Sequence, residues 1–169
     1  ILNRFSVQNC LMSEGVCDAL DHASPSFAQG GKLGLDCTCE DEIESTLEFA
    51  SEEQLHKILS EILRVSGEVK CVRQIYQDTR NPIVLVGIDK KESLKKAFLA
   101  LDQANLESLS SADIESLQRF LRIVVIVDFA KNDLENLYML LWRVVNNTDA
   151  KRDIKIIGKT LLLDACDKG

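Results

Sequence analysis

The stretch LRIVVIV, which covers Leu121–Val127, is an almost unbroken run of apolar residues, most of them β-branched. A second run of the same kind, IVLVGI, covers Ile83–Ile88. Runs of this length and composition are typical of strands that are buried on both faces of a parallel sheet. We therefore expect these two segments to form the centre of the fold.

The clearest helical pattern in the chain follows Leu121–Val127. Asn132 and Glu135 are spaced for capping the first turn of this helix. Apolar residues then recur at helical intervals, which predicts a helix with one apolar face. This stripe consists of Leu134, Leu137, Tyr138, Leu141, Trp142 and Val145.

The remaining segments complete an alternation of helices and strands. Ser51 and Gln54 have the spacing of a capping box within the first predicted helix. Strands that alternate with helices predict an α/β fold, here a small, mostly parallel sheet flanked by helices and preceded by a helical linker. The further predicted helices cover 41–66, a segment with Leu94, Ala97, Phe98 and Leu101, and Ala112–Phe120; the further predicted strands cover Glu68–Tyr76, Ile154–Ile157 and Leu161–Ala165.

Length and charge limit the classes of function. A chain of 169 residues corresponds to one domain, or to one domain with an appendage. Its net charge of −7 argues against binding to nucleic acid or to anionic membranes, because both select basic surfaces. No apolar run approaches the roughly 18 residues that span a bilayer, so we expect no membrane contact. The cysteines, interpreted as free thiols, favour the reducing cytoplasm as the location. The first residue is Ile1 rather than Met, which suggests a fragment of a longer protein.

The six cysteines raise the question of a zinc site. Cys37 and Cys39, together with Cys10, Cys17 and His22, are of the residue types that bind zinc. The close pair has a C-x-C spacing, however, whereas structural zinc sites usually separate paired cysteines by two to four residues. Free thiols in a reducing compartment are therefore the favoured interpretation.

The glycine-rich segment Leu20–Thr38 invites a phosphate-binding interpretation. Neither buried strand is followed by a G-x-G-x-x-G motif, and the segment does not match the phosphate-loop pattern. Backbone N–H groups of Gly30 and Gly31, with the Lys32 ammonium, offer one weak anion site. A tight turn with a solvated lysine is the favoured alternative, in which Pro25 and the two glycines shape a long connection.

Other polar residues show no catalytic arrangement. Asp89 and Asp128 end the two buried strands, where α/β folds usually bind ligands, but turn and helix-entry roles are favoured for both. His22 and His56 lie far apart in sequence and have no serine or cysteine motif beside them. The acidic helix-face residues, which have no evident acid or base partner, are Glu44, Glu48, Glu52 and Glu53.

Two stretches resemble the C-terminal region of the UbiD-type decarboxylases, the 3-polyprenyl-4-hydroxybenzoate carboxy-lyase family. The first is RIVVIVDFAKNDLENLYMLLWRVVNNTDAKRDIKII (Arg122–Ile157), and the second is LDHASPSFAQGGKLGLDCT (Leu20–Thr38). In the first, the matching positions are Asp128, Asp133, Trp142, Arg152 and Asp153. In the second, the matching positions include Asp21, Ser24, Pro25, Gly31, Lys32, Gly34 and Asp36.

The order of these stretches indicates a duplication, because the segment that should come last comes first. Residues 3–10 align with 151–158, and 35–37 align with 163–165, so that Asp164 corresponds to Asp36. We accordingly predict that 1–39 is the tail of a preceding UbiD-like C-terminal domain and 40–67 a helical linker. Residues 68–169 are then a second, divergent copy that lacks the glycine-rich segment.

The resemblance implies a function for a larger parent protein. UbiD-type enzymes are reversible decarboxylases of aromatic or unsaturated acids, many of them hydroxybenzoate-type precursors of quinones, and they use prenylated flavin mononucleotide with a divalent metal, Mn or Mg. The family's catalytic residues and flavin-binding domain lie upstream, so no catalytic, cofactor or metal residue is assigned here. We expect a non-catalytic portion that packs against the upstream flavin-binding domain and forms homo-oligomers. The alternative is a stand-alone α/β module that binds a ligand or anion.

Overall fold

A computed structural model of the chain describes residues 6, 9–38, 47–64, 66–92 and 109–168. These residues form an α/β fold, as the alternation of patterns predicts. The strands are β1 (Cys10–Val16), β2 (Gln29–Leu35), β3 (Gly67–Ile75), β4 (Ile83–Lys90), β5 (Ile123–Asp128), β6 (Ile154–Ile157) and β7 (Thr160–Asp164); the helices are α1 (Glu52–Leu63), α2 (Ser111–Phe120), α3 (Leu137–Asn147) and the single turn α4 (Ala150–Asp153).

The main sheet has five strands in the order β3-β4-β5-β7-β6. Its three central strands are parallel, whereas β3 and β6 pair antiparallel with their neighbours. The sheet is therefore mixed, and the expectation of a mostly parallel sheet holds only for its centre. The reason lies in the connections, since 76–82 and 158–159 are too short for the crossover of a dozen residues that a parallel pair requires.

One face of the sheet is covered by α1 and α2. The helices contribute Leu55, Leu59 and Leu117 to a core that also includes alternate residues of the central strands, among them Val86 and Ile126. The capping box of Ser51 and Gln54 is present at the start of α1. Helix α1 thus packs into the core, while the division of the chain into domains stays a prediction. The prediction of a helix over 41–66 is wrong for residues 47–51, which are not helical, because the capping box at Ser51 starts the helix at Glu52. Residues 41–46 and the segment around Leu94–Leu101 lie outside the described residues.

The opposite face of the sheet is covered by α3, by α4 and by the β1–β2 hairpin. This second core combines Leu85, Val125 and Leu161 of the strands with Leu140 of α3 and Ala150 of α4. Both faces of the central strands are therefore buried, as their continuous apolar sequences predict.

Helix α3 differs from the prediction in its cap and in its buried face. Asn136, not Asn132, caps the helix, and its side chain accepts a hydrogen bond from the N–H of Met139. Asn132 instead donates to the carbonyl of Asp128, because residues 129–131 form a separate 3-10 turn. Leu140 is the buried residue of the helix. Four members of the predicted apolar stripe are exposed to solvent, namely Tyr138, Leu141, Trp142 and Val145.

The glycine-rich segment also differs from its prediction as a connection. Gln29–Leu35 forms β2, which pairs antiparallel with β1 in a separate two-stranded sheet. Glycines usually disfavour strands, but they allow a close approach of another backbone. Here the start of α4 makes that approach, at Lys151.

Candidate functional site

The carboxyl ends of the three parallel strands meet at one edge of the sheet. Lys90 ends β4, Asp128 ends β5 and Asp164 ends β7. Open α/β sheets bind their ligands at this edge. A ligand-binding or active site is therefore expected near these three residues.

Two buried carboxylates dominate this edge. The side chains of Asp153 and Asp164 are both completely buried, although they belong to different elements. The Nζ atom of Lys168 lies 3.7 Å from Oδ1 of Asp153 and 3.4 Å from Oδ1 of Asp164. On the other side, Nζ of the buried Lys90 lies 3.9 Å from Oδ2 of Asp164. The lysines therefore neutralise charge that the interior would otherwise strongly disfavour.

Arg152 completes this group through a two-point contact with Asp153. Its Nε atom donates to Oδ1 of Asp153 at 2.7 Å, and its second nitrogen donates to Oδ2 at 2.6 Å. Burial raises the pKa of Asp153, while hydrogen bonds from Arg152 and the charge of Lys168 act in the opposite direction. We call these five side chains the buried ion cluster: Lys90, Arg152, Asp153, Asp164 and Lys168.

The chain after β7 is held to the same edge by hydrogen bonds. The N–H of Asp167 donates to Oδ2 of Asp128 at 2.6 Å, and the N–H of Cys166 donates to Oδ1 of Asp164 at 3.0 Å. Burial raises the pKa of the Cys166 thiol far above its ordinary value, and the neighbouring carboxylates of Asp164 and Asp128 add to this effect. The thiol is therefore kept protonated, which makes it a poor nucleophile and a poor metal ligand.

The buried ion cluster is arranged for cohesion between elements. Its carboxylates bind the cations of the same chain, and the completely buried Asp153 and Asp164 offer no accessible oxygen to a substrate. A general acid or base must reach the proton that it transfers, directly or through one water. The contacts instead connect β4, α4, β7 and the segment after β7.

The predicted anion site of Gly30, Gly31 and Lys32 faces a carboxylate of the same chain. The N–H of Gly31 donates to Oδ2 of Asp149 at 2.5 Å. Asp149 also caps α4, because its Oδ1 accepts from the N–H groups of Lys151 and Arg152. Lys32 is exposed on β2. The glycines thus bring the hairpin against the start of α4, and Glu14 forms an ion pair with Lys151 at the same contact.

Other family-motif residues of the glycine-rich segment take part in local turns. Asp21 accepts a hydrogen bond from the N–H of Ala23, and the hydroxyl of Ser24 donates to the carbonyl of Ser26. The side-chain and backbone hydrogen bonds from Thr38 lower the pKa of Asp36. Three further residues of this segment are exposed, namely His22, Pro25 and Gly34.

The remaining candidate residues are distributed over the surface. Asp89 lines a cleft of about 630 Å³ together with Arg64, Glu68 and Lys91, so that both signs of charge are represented there. His56 contacts the carbonyl of Val69 through Nε2 at 3.0 Å. Further contacts of candidate carboxylates are those of Glu48 with Arg119, of Glu52 with the N–H of Gln74, and of Asp133 with the N–H of Glu135. Glu53 is exposed, and Glu44 lies outside the described residues.

The zinc alternative gains no support from the described part of the chain. Cys10, Cys17 and Cys37 are half-buried thiols, and Cys39 is not among the described residues. Within the ranges that the structure describes, no group of three or more His, Cys, Asp or Glu side chains is placed to hold a metal ion. In the same part of the chain, no helix has both the length and the apolar character needed to cross a membrane.

The sequence analysis named Arg152, Asp153 and Asp164 only as positions that match the family motif, and it named neither lysine of the buried ion cluster. Lys90 ends an apolar strand, where a charge is unusual, and that position was the available signal. Lys168 follows Asp164 by four residues, but nothing in the sequence indicates that its side chain turns inward. Asp149 was also missed, because its partner Gly31 lies 118 residues away.

Comparison with known proteins gives one family and two long relatives. The family model of the 3-octaprenyl-4-hydroxybenzoate carboxy-lyase C-terminal domain matches residues 46–166. Two uncharacterized proteins of Helicobacter pylori, from strains J99 and 26695, are each 40% identical over 169 residues, which is 100% of this chain and 25% of the relative. The chain therefore spans about a quarter of the length of the curated relatives that it matches.

Among solved structures, the chain resembles an evolved dimeric form of the UbiD-class enzyme HmfF from Pelotomaculum thermopropionicum in complex with prFMN. The sequence identity is 18% and the TM-score 0.44, and the match covers 66% of this chain and 24% of that chain.

Proposed function

This chain belongs to the family of 3-octaprenyl-4-hydroxybenzoate carboxy-lyases, the UbiD family, through its C-terminal domain, and we propose that it is the non-catalytic, assembly portion of a longer UbiD-type decarboxylase. The parent protein would act on an aromatic acid of the hydroxybenzoate type in quinone biosynthesis. Prenylated flavin mononucleotide and a divalent metal, Mn or Mg, would be held by its upstream flavin-binding domain.

The buried ion cluster carries the non-catalytic part of this proposal. It occupies the edge of the sheet where an α/β fold would bind a ligand, and its carboxylates are engaged by Arg152, Lys90 and Lys168. A divalent metal requires several accessible oxygen ligands. The described residues do not fit such a metal, so no catalytic step is assigned to this chain.

The assembly part is supported by the exposed apolar side chains of α3. A patch of apolar residues that the fold leaves in solvent commonly marks an interaction surface. The stand-alone anion-binding alternative is less favoured, because the N–H of Gly31 is already engaged by Asp149. Calorimetric titration with flavin mononucleotide and with inorganic phosphate tests that alternative, for which binding by the chain alone would be the supporting result.

Complementation in trans tests the main proposal. The chain alone, supplied with prenylated flavin mononucleotide, Mn²⁺ and a hydroxybenzoate-type acid, should release no CO₂. The longer protein with this region deleted should lose activity and assembly, and addition of the chain as a separate polypeptide should restore both. Decarboxylation by the chain alone, or full activity and assembly of the deleted protein, would contradict the proposal.

A further inference from the structure

Strand β2 has one hydrogen-bonding edge that the hairpin does not use. The N–H of Asp36 donates to the carbonyl of Asn9 at 3.0 Å, and the N–H of Cys17 donates to the carbonyl of Ala28 at 3.1 Å. Both bonds continue the register that pairs β1 with β2. Hydrogen-bonded and non-hydrogen-bonded pairs alternate along an antiparallel ladder. The even-numbered residues of β2 therefore direct their N–H groups towards β1, and the odd-numbered residues direct theirs outwards.

The outward edge of β2 is occupied at one end. There the N–H of Gly31 donates to the carboxylate of Asp149, in agreement with the alternation. The N–H groups of Leu33 and Leu35 follow on the same edge, and within the ranges that the structure describes this sheet has two strands. A bare edge can pair with a further strand, and proteins commonly prevent this with lysine or proline. The stretch Leu33–Cys37 contains neither residue.

Strand β7 provides an internal comparison for this edge. Residues 163–165 align with 35–37, so that Leu161 corresponds to Leu33. The N–H of Leu161 donates at 2.7 Å to the carbonyl of Arg122, and the parallel pairing of β7 with β5 continues from there. The alignment and the hydrogen-bond alternation thus agree that the outward edge of β2 corresponds to the edge of β7 that pairs with β5.

The ends of β2 and β7 also differ in burial. Asp164 is completely buried beside β5, whereas the corresponding Asp36 is exposed. Ala165 is 1% exposed, whereas the corresponding Cys37 is half-buried. Leu35 leaves 40% of its surface in solvent. A parallel neighbour of the β5 type would bury the end of β2 as β5 buries the end of β7.

We propose that the outward edge of β2, from Leu33 to Cys37, pairs in parallel with an apolar, β-branched strand of the longer protein that lies outside this chain. This pairing rests on the proposed function and names the contact through which the assembly portion joins the rest. The chain covers 25% of its Helicobacter pylori relatives, which leaves ample sequence for such a strand. Two β2 edges paired across a twofold axis normal to the sheet would be antiparallel, so a parallel neighbour is a different strand.

Hydrogen exchange at single-residue resolution, compared between this chain and the longer protein, measures the pairing. The N–H groups of Leu33 and Leu35 should exchange on the order of 100-fold more slowly in the longer protein, because a ladder then holds them. The N–H of Gly34 faces β1 and is the internal control, which should be protected equally in both proteins. Equal exchange of Leu33 and Leu35 in the two proteins would overturn the proposal.

Two proline variants separate pairing from simple burial. Leu35→Pro removes an outward N–H from β2, and Met12→Pro removes one from the opposite edge of the hairpin, where the side chain is similarly exposed at 38%. Proline is tolerated in an edge strand whose N–H faces solvent, so both variants of this chain should keep the protection of Gly34. In the longer protein, Leu35→Pro should abolish the protection of Leu33 and Met12→Pro should preserve it. Equal effects of the two variants would contradict the proposal.

A photoreactive side chain identifies the neighbour. Leu35→p-benzoylphenylalanine in the longer protein should cross-link to an apolar segment outside this chain, and a cross-link to a second copy or within the chain would refute the pairing. If Leu33 and Leu35 exchange equally in both proteins but the chain restores decarboxylation in trans, the strand pairing fails and the proposed function stands. If both N–H groups are protected in the longer protein but deletion of this region leaves full activity and assembly, the proposed function fails and the strand pairing stands.

Discussion

The N–H of Gly31 donates a hydrogen bond to the carboxylate of Asp149 at 2.5 Å, and the two residues are 118 positions apart in the chain. The same carboxylate caps α4 through the N–H groups of Lys151 and Arg152. Asp149 therefore serves two elements at once, since it begins a helical turn and holds the β1–β2 hairpin against it.

Replacement of Gly31 by alanine should detach the hairpin. A Cβ atom at this position would lie 2.1 Å from the backbone N of Lys151, a contact that neither side can relieve without moving the backbone. We expect Gly31→Ala to lose hydrogen-exchange protection over β1 and β2, while the five-stranded sheet keeps its protection. Hydrogen exchange read by mass spectrometry separates the two sheets.

Gly34→Ala is the control for that experiment, because Gly34 is on the same strand and its added Cβ would come no closer than 3.8 Å to Leu11. Its exchange pattern should match that of the wild type. Unchanged protection of the hairpin in Gly31→Ala would refute the docking contact.

Removal of Lys168 should destabilise the fold more than removal of an exposed lysine. Lys168→Met leaves the buried Asp153 and Asp164 without one of their cations. Loss of one partner from a buried ion pair costs about 3–5 kcal/mol, and since Arg152 and Lys90 remain, we expect about 2–3 kcal/mol less free energy of unfolding in urea.

Lys131→Met provides the comparison. Lys131 pairs with Asp167 at 2.6 Å, but both side chains are about half exposed. Exposed pairs contribute about 0–1 kcal/mol, so this variant should remain close to the wild type. If both variants lose the same free energy of unfolding, then burial of the ion cluster adds nothing to stability.

Cys166 should react with thiol reagents only when the protein unfolds. Its side chain is buried and its pKa is raised by burial and by neighbouring carboxylates, so that neither access nor the thiolate is available. Cys37, which is half-buried, serves as the internal reference. Timed alkylation followed by peptide mass spectrometry should show rapid modification at Cys37 and none at Cys166 until urea is added. Modification of both at one rate in native protein would disagree with the structure.

The start of α2 should lose stability in acid, because Asp113 then becomes protonated. Hydrogen bonds from the hydroxyl and the N–H of Ser110 lower the pKa of Asp113 below its ordinary value of 3.8. A carboxylate with a lowered folded-state pKa adds stability that is present above 3.8 and is lost as the pH falls through the folded-state value.

Nuclear magnetic resonance titration measures that pKa directly. Ser110→Ala removes the hydroxyl, which is the larger cause, and should move the Asp113 pKa upward towards 3.8. Asp36, whose pKa is lowered by hydrogen bonds from Thr38 in a different turn, should keep the same pKa in both proteins. A folded-state pKa of Asp113 at or above 3.8 in the wild type would exclude the capping contribution.

The sequence was sufficient for the central strands and for α2, and it predicted the presence but not the exact bounds or faces of α1 and α3. Continuous apolar runs predicted β4 and β5 closely, because burial on both faces leaves no polar position in the pattern. The antiparallel pairing of the edge strands β3 and β6 could also have been predicted. The links 76–82 and 158–159 are too short for the crossover that a parallel pair requires. Connection length is thus a stronger guide to strand direction here than strand composition.

The orientation of α3 and the hairpin could not be predicted in the same way. A helix that is apolar on two sides has no single face to assign, so the wider stripe of Tyr138, Leu141, Trp142 and Val145 was the natural choice, although Leu140 is the residue that is buried. The strand at Gln29–Leu35 depends on pairing with β1 and on the approach of α4, which local propensity does not report. The two lysines of the buried ion cluster depend on tertiary contacts in the same way.

The contact between Gly31 and Asp149 has a consequence for synthesis. The hairpin leaves the ribosome more than a hundred residues before the carboxylate that holds it, and Leu11, Val16 and Phe27 are apolar side chains that remain exposed even in the folded protein. Contacts between residues this far apart in sequence form late, and apolar side chains that stay exposed in the meantime favour aggregation. A nascent chain stopped before Asp149 therefore lacks the carboxylate that holds the hairpin, and completion of α4 is the step that attaches the hairpin to the rest of the fold.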